Sequence, residues 1–355
     1  MNARRYPPIL TSARWILGIG ILAWLFSRTS VDELWEVMIL GFANWEWWCL
    51  GIAFTGLGLW VAALRWHILV RAQGVDISLL RMARIFLIGQ CFNSFLLGAC
   101  GGDVARGYYM LRESKTKRTE AASTVLVDRG IGLLVIIAYC CVITLFRITW
   151  FMTSKRTGLA AAVMLALMTL AVATLVVLFR KHLFEQRTCL KRLENTSRFG
   201  SIVRRVYNAF YVYRDQPRVL GWAAALSFAN MVFLTLACGV LGHSLRMDVS
   251  WLDYFTLFPI ITVLSAIPVT PGALGVREGL FSELFAVTGV YAGKAISLSL
   301  LVYGAGLIWS IIGGLLFIGY SSRYGLSLNE EWQKLKKQSH PASLHHASPN
   351  TDKTP

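Results

Sequence analysis

Charge is what this chain has least of. Charged side chains make up 15% of its 355 residues, and acids are the scarcer half, with 19 Asp and Glu against 35 Lys and Arg. A soluble domain carries about one quarter charged residues, so the composition excludes an ordinary water-soluble globule and a disordered chain. The seven cysteines are odd in number, contain no CxxC pair and have no histidine at ligand spacing. A disulfide scaffold and a zinc site are thereby excluded. The string GxxxxGK[ST] does not occur, which removes a P-loop nucleotide engine. What the chain has in excess is apolar: 55% hydrophobic residues and 13 Trp, for a mean hydropathy of +0.55.

That excess is arranged in long runs. Membrane helices are predicted near 12–28, 44–64, 125–146, 158–179, 219–241 and 294–320, each close to the ~20 residues that cross ~30 Å of hydrocarbon. The first run follows Arg4, Arg5 and Arg14 and has no small-residue cleavage site after it, so it is expected to be a retained span. Five of the cysteines (Cys49, Cys91, Cys140, Cys141, Cys238) fall within apolar runs and are expected as buried thiols. The net charge of +16 would suggest nucleic acid in a soluble protein. Between membrane spans it points to anionic lipid headgroups instead, and no nucleic-acid partner is expected.

Two more apolar stretches, Met82 to Leu97 and Asp253 to Ile267, are too short to cross, and each stops at a Gly or Pro cluster before a second short helix. If neither crosses, most Lys and Arg lie on one side. If the first crossed alone, the basic loop 180–218 would lie outside. Both are therefore predicted as re-entrant hairpins, one entered from the cytoplasm and one from outside. The fold class expected is an all-α polytopic membrane protein with six full transmembrane helices plus two re-entrant hairpins, both termini cytoplasmic, in the cell membrane. Entry from opposite faces is the geometry of an inverted repeat. Laying Gly102–Gly107 over Leu274–Gly279 matches only Val104 with Val276 and Gly107 with Gly279, so topology carries more of that argument than alignment. Residues 1–320 form the transmembrane domain. Within it, Phe199, Ile202, Val203, Val206 and Phe210 recur at helical spacing, which predicts an amphipathic helix near 198–214, either on the inner leaflet or packed on the bundle. Residues 321–355 are polar and proline-punctuated, and are expected as a disordered cytoplasmic tail.

Ionisable groups at membrane depth cost about 2.5–3.5 kcal/mol each on insertion scales, so each needs a partner or a purpose. The first hairpin turns through Gly98 to Gly102, with Asp103 expected as an N-cap and Arg106 three residues on, an arrangement suited to an anionic phosphate. Asp128 and Arg129 are adjacent, point about 100° apart on a helix and should reach different partners, Arg129 being a candidate for phosphate or for Asp103. The second hairpin breaks at Pro268, Pro271, Gly272 and Gly275, and its returning half opens with Arg277 and Glu278. Gln90, Asn93 and Ser94 share one face of the first re-entrant helix, suited either to a headgroup or to helix–helix hydrogen bonds. Structural readings compete at each place: Asp103 with Arg106, and Arg277 with Glu278, would serve equally as ion pairs that lock a hairpin, and Arg129 would serve as a snorkelling side chain.

The strings FNSFLLGACGGDVARGYYMLR, AASTVLVDRGIG and IPVTPGALGVREGLF, followed by a last apolar helix, resemble the transmembrane region of the lysylphosphatidylglycerol synthase family, over most of residues 10–320 in order and spacing. This flippase-like family includes the membrane half of bacterial multiple-peptide-resistance factors. Leu97-Gly98-Ala99-Cys100 replaces the family's Pro-Gly-Gly-like turn, and Asp128-Arg129 its usual Glu-Arg. The resemblance implies movement of an anionic phospholipid or polyprenyl-phosphate-type lipid between leaflets. It implicates Asp103, Arg106, Asp128, Arg129, Pro271, Gly272, Gly275, Arg277 and Glu278 in substrate binding, beside Asn93 and Gly102 from the residue pattern. Nothing the size of the family's soluble transferase domain follows Tyr320, so synthase activity is not expected, nor any cofactor or metal. Two rival readings are a membrane-embedded transferase with Asp103 or Asp128 as general base, against which stands the lack of a DxD string, and a non-catalytic partner of an envelope-biosynthesis enzyme.

Overall fold

Backbone in hydrocarbon has no water to bond, so apolar runs of this length must satisfy their N–H and C=O groups internally, as helices do. A computed structural model describes residues 19–21, 31–95, 101–114, 118–179, 213, 216–267 and 269–323, and among these there is helix and no strand. The helices are α1 (Val31–Ala43), α2 (Trp45–Ala72), α3 (Leu79–Phe95), α4 (Gly101–Glu113), α5 (Arg118–Phe146), α6 (Ile148–Phe151), α7 (Lys155–Phe179), α8 (Pro217–Ser244), α9 (Trp251–Ser265), α10 (Val276–Phe285) and α11 (Ala292–Arg323).

Four of them, α2, α5, α8 and α11, are long and apolar enough to cross a membrane. At 28 to 32 residues and ~1.5 Å per residue each exceeds ~30 Å of hydrocarbon. The sequence found all four, with two sizeable differences at their ends: α5 begins at Arg118 rather than near 125, and the end of α2 is the more consequential. The second span was expected to stop at residue 64, yet α2 runs on to Ala72. Arg65 therefore lies inside a membrane helix rather than in a cytoplasmic loop. Large apolar side chains such as Leu57, Trp60, Leu133 and Leu145 face outward, as lipid-facing positions do. Cys49, expected to be buried, is exposed as well.

Small residues let the long helices close on each other. Gly51 and Gly58 of α2 sit against Leu241 and Leu234 of α8, while Gly56 receives the ring of Trp309 from α11. The Trp309 Nε1–H donates to the Ile52 carbonyl at 2.9 Å. The two short pairs, α3 with α4 and α9 with α10, each have their own apolar core. Trp66, Phe86, Phe92 and Tyr109 belong to the first, and Tyr254, Phe258, Phe281 and Phe285 to the second. Both pairs pack on α11. Ser94 of α3 and Ser310 of α11 are hydrogen-bonded at 2.7 Å, and a side chain at Gly313 would run into the Leu87 carbonyl. On the far side Arg147, just before α6, donates to Asp253 at 2.7 Å and Thr256 at 2.8 Å, which ties α9 to the end of α5.

Several expectations fall outside the described residues: most of the span 12–28, the turn at 96–100, the amphipathic stripe 199–210 and the tail from 324 onward. Of the first span, Ile21 packs against Ile296 of α11, as Leu300 does.

Candidate functional site: an arginine-lined cavity

The first hairpin closes at a crossing where two glycines meet. A Cβ at Gly102 would collide with the Gly89 carbonyl and with Asn93, and one at Gly89 would collide with Arg106. This near-contact of backbones lets Asn93 Oδ1 accept the Gly102 N–H at 2.9 Å, satisfying an N-terminal donor of α4 from the neighbouring helix. Asp103 is thereby relieved of the N-cap role expected for it. The helix already begins at Gly101, and Asp103 stands in its first turn.

Asp103 turns instead to Arg129 on α5, whose Nε donates to both carboxylate oxygens at 2.9 and 3.0 Å. Its neighbour Asp128 points elsewhere, as adjacent helical residues must, and takes the Arg65 Nε–H at 2.7 Å. Arg65 also donates to Ser227 of α8 at 2.9 Å, so one buried guanidinium ties α2, α5 and α8 together. Arg106 is different. Its side chain is 3% exposed, its Nη1 lies 3.6 Å from an Asp103 oxygen that Arg129 already holds, and its Nε has no hydrogen-bond partner. The guanidinium carbon sits 3.8 Å from the centre of the Phe86 ring, a cation–π contact that offsets part of the loss of water.

These groups line a cavity of about 300 Å³. Its polar wall is Thr55, Arg65, Gln90, Arg106, Asp128, Arg129 and Asn230, and its apolar wall includes Leu59, Phe86, Leu234, Phe258 and Val302. Among the described residues, three arginines and Asp128 line the cavity, and Asp103 is paired with Arg129 beside it. Of the polar face read from the sequence, Asn93 and Ser94 join helices, and Gln90 alone enters the cavity wall.

The second hairpin is built differently. Gly272 and Ala273 have φ of 62° and 57°, and Gly275 80°, so the chain turns through three left-handed residues, a conformation in which glycine is unstrained. Pro271 opens this turn. Glu278, fully buried, accepts the Gly275 N–H at 2.7 Å, the Arg277 guanidinium and the Ser299 hydroxyl at 3.3 Å. Arg277 also donates to Ser299 at 3.0 Å and lies over the Tyr303 ring. Arg277 and Glu278 are not among the residues lining the cavity. The structure thus brings Arg106, Asp128 and Arg129 together, with Asp103, Gly102 and Asn93 directly behind, and holds the second hairpin's charges in a separate cluster. Among the described residues no group of three His, Cys, Asp or Glu is placed to hold a metal.

A model of the lysylphosphatidylglycerol synthase transmembrane region matches residues 12–314, which takes in both hairpins and every helix of the cavity wall. The chain belongs to this family. Among curated relatives it resembles a UPF0104 membrane protein of Methanothermobacter thermautotrophicus, 25% identical over 64% of this chain and 71% of the relative. It also resembles a UPF0104 membrane protein of Pyrococcus horikoshii, 19% identical over 81% of this chain and 90% of the relative. Membership makes the chain a membrane protein.

Three polar contributors escaped the sequence reading, Thr55, Arg65 and Asn230. The signal was present for the last two: Arg65 interrupts an apolar run that continues to Val70, and Asn230 sits in the middle of the span 219–241. Either would have been found by asking of every polar residue at membrane depth what was asked of Asp128.

Proposed function

We propose that this protein moves an anionic lipid, a phospholipid or a polyprenyl-phosphate-type lipid, between leaflets of the cell membrane, without catalysing a covalent step. The reading rests on one observation: Arg106 is buried in the cavity wall with its Nε unpartnered. A guanidinium at membrane depth without a full counter-ion is costly, and a phosphate is the ligand whose oxygens match its planar donors. The cavity's apolar wall suits the lipid body next to that headgroup. The arrangement we propose around it has six full crossings, the α3–α4 and α9–α10 pairs as re-entrant hairpins entering from opposite faces, and both termini in the cytoplasm. A transferase would need a carboxylate able to take a proton, and both Asp103 and Asp128 already sit in ion pairs with arginines.

The test is a proteoliposome assay that follows a fluorescent anionic phospholipid from one leaflet to the other. Wild-type protein is expected to speed its movement, and Arg106→Gln to abolish the gain while leaving the protein inserted and monodisperse. Equal rates for wild type and empty vesicles would overturn the reading. Covalent modification of the lipid by wild type would favour a transferase. For the topology, cysteines placed at Ser154 and Ser339 are expected to label from outside and inside respectively in intact cells.

A further inference from the structure

Glycine inside a helix weakens it, and in a membrane helix the loss is ordinarily offset by a neighbour packed against the bare α-carbon. Gly313 and Gly314 of α11 follow that rule: a methyl at the first would run into the Leu87 carbonyl, and one at the second would stand 3.3 Å from Cys91 Sγ. Gly304 and Gly306 do not. Among the described residues a methyl at either meets nothing within 4 Å. Packing also loosens around them. Ala295 to Ser299 are buried without a break, whereas between Val302 and Trp309 only Ala305 is buried and the rest are half-buried. The Ser310 hydroxyl donates to the Gly306 carbonyl at 3.0 Å, a back-bond that competes with the helix's own hydrogen bond and favours a bend.

The same two glycines divide the attachments of α11. On the N-terminal side Ser299 bonds Arg277 and Glu278, and Tyr303 lies under the Arg277 guanidinium. That half is fixed to the second hairpin. On the C-terminal side Trp309 bonds Ile52 and Ser310 bonds Ser94. Farther along, Phe317 meets the edge of Phe92 at 5.2 Å between ring centres, and Tyr320 donates to Glu113 at 2.7 Å. That half is fixed to α2 and the first hairpin. The division falls at the cavity, whose wall holds Val302 and Gly306 of α11 together with Phe258 of the second hairpin and Phe86 and Arg106 of the first. A bend at this point changes the spacing of the two hairpins across the cavity and leaves both sets of attachments intact.

We propose that α11 is hinged at Gly304 to Gly306, and that bending there widens and narrows the cavity during lipid movement. The coupling to lipid rests on the lipid-moving reading above, and the hinge rests on packing alone. The experiment compares the full-length wild type with the double variant Gly304→Ala and Gly306→Ala. Gly319→Ala is the control, because Gly319 lies near the end of the same helix and also has open space around its α-carbon. The double variant is expected to raise the thermal midpoint in detergent by about 2–8 °C, since alanine stiffens the helix without a clash. It should also slow movement of a fluorescent anionic phospholipid in proteoliposomes roughly tenfold, with retention of phosphatidylglycerol in native mass spectra unchanged. Gly319→Ala should move lipid at the wild-type rate. Independently of lipid movement, amide hydrogen exchange in wild type is expected to run about tenfold faster over 304–310 than over 295–301, and to slow in the double variant. A lower thermal midpoint would mean that the glycines serve close packing, and lost phosphatidylglycerol retention that Gly306 serves to leave room for ligand; either overturns the hinge. So does a double variant that moves lipid as fast as wild type, or exchange that is uniform along α11. Fast local exchange in a wild type that moves no lipid keeps the hinge and removes the lipid-moving reading.

Discussion

The two hairpins are made from the same ingredients and finish in opposite states. Each has a glycine-rich break, then a short helix with an acid and an arginine in or near its first turn. In the second, acid and arginine are adjacent, and Glu278 at the third helical position folds back on Gly275 while receiving Arg277 and Ser299. Every charged group is bound within a few residues. In the first, Asp103 and Arg106 lie three apart, and Asp103 is drawn to a cation from another helix. Arg106 keeps a buried donor without a partner. A closed cluster of this kind acts as a lock, and an open one is available to a ligand. What separates them is where the third partner comes from: the serine of α11 completes the second cluster, whereas the arginine of α5 takes the acid away from the first.

The contrast predicts an order of effects on stability. Glu278→Ala should be the most damaging, because it removes the carboxylate that the half-buried Arg277 pairs with and frees the Gly275 N–H; a loss of roughly 3–5 kcal/mol is expected, seen as a sharp drop in thermal midpoint in detergent. A stable Glu278→Ala protein that fails only in lipid movement would reverse the comparison. Gly102→Ala should come next, at about 1–3 kcal/mol, since a methyl there meets the Gly89 carbonyl. The same thermal assay checks it, and Gly107→Ala, on the same helix with open space around its α-carbon, is the control expected to be silent. Asn93→Ala removes the cap on the Gly102 N–H and should cost about 1 kcal/mol. The smallest effect on the fold is expected from Arg106→Gln, below about 1 kcal/mol, because Asp103 stays paired with Arg129 and the burial of a charge is relieved. The same variant should lose anionic-lipid retention to the level of phosphatidylcholine in native mass spectra. A large fall in stability with lipid retention intact would make the first hairpin a lock like the second.

Much of this was legible from residue order, and the rest was not for identifiable reasons. Long apolar runs announce helices because lipid leaves the backbone no alternative, so four spans were found, with their ends close except for the C-terminal extension of α2 and the N-terminal extension of α5 to Arg118. The hairpin breaks were visible in glycine and proline, and the divergence of Asp128 from Arg129 followed from helical geometry. Arg277 and Glu278 meet as the ion-pair reading of the second hairpin had them, because Glu278 bends back to the helix start and the long arginine follows it. Arg65 was lost by ending a span at its first charge. That Arg277 and Arg106 occupy separate clusters depends on how both hairpins seat on α11, and nothing in the local sequence states that.

That seating gives α11 a role its composition does not suggest. Ser299 and Tyr303 engage the lock of the second hairpin, Val302 and Gly306 line the cavity, Ser310 holds Ser94 and Gly313 abuts the backbone of α3. Ser299, Tyr303, Gly306, Ser310 and Gly313 advance by three or four residues at a time, with Val302 beside Tyr303, so they form one stripe along a single continuous helix. The two hairpins are thus mounted on a common shaft with the cavity between its bearings. A turn or slide of that shaft would shift both mounts together, and with them the wall of the cavity.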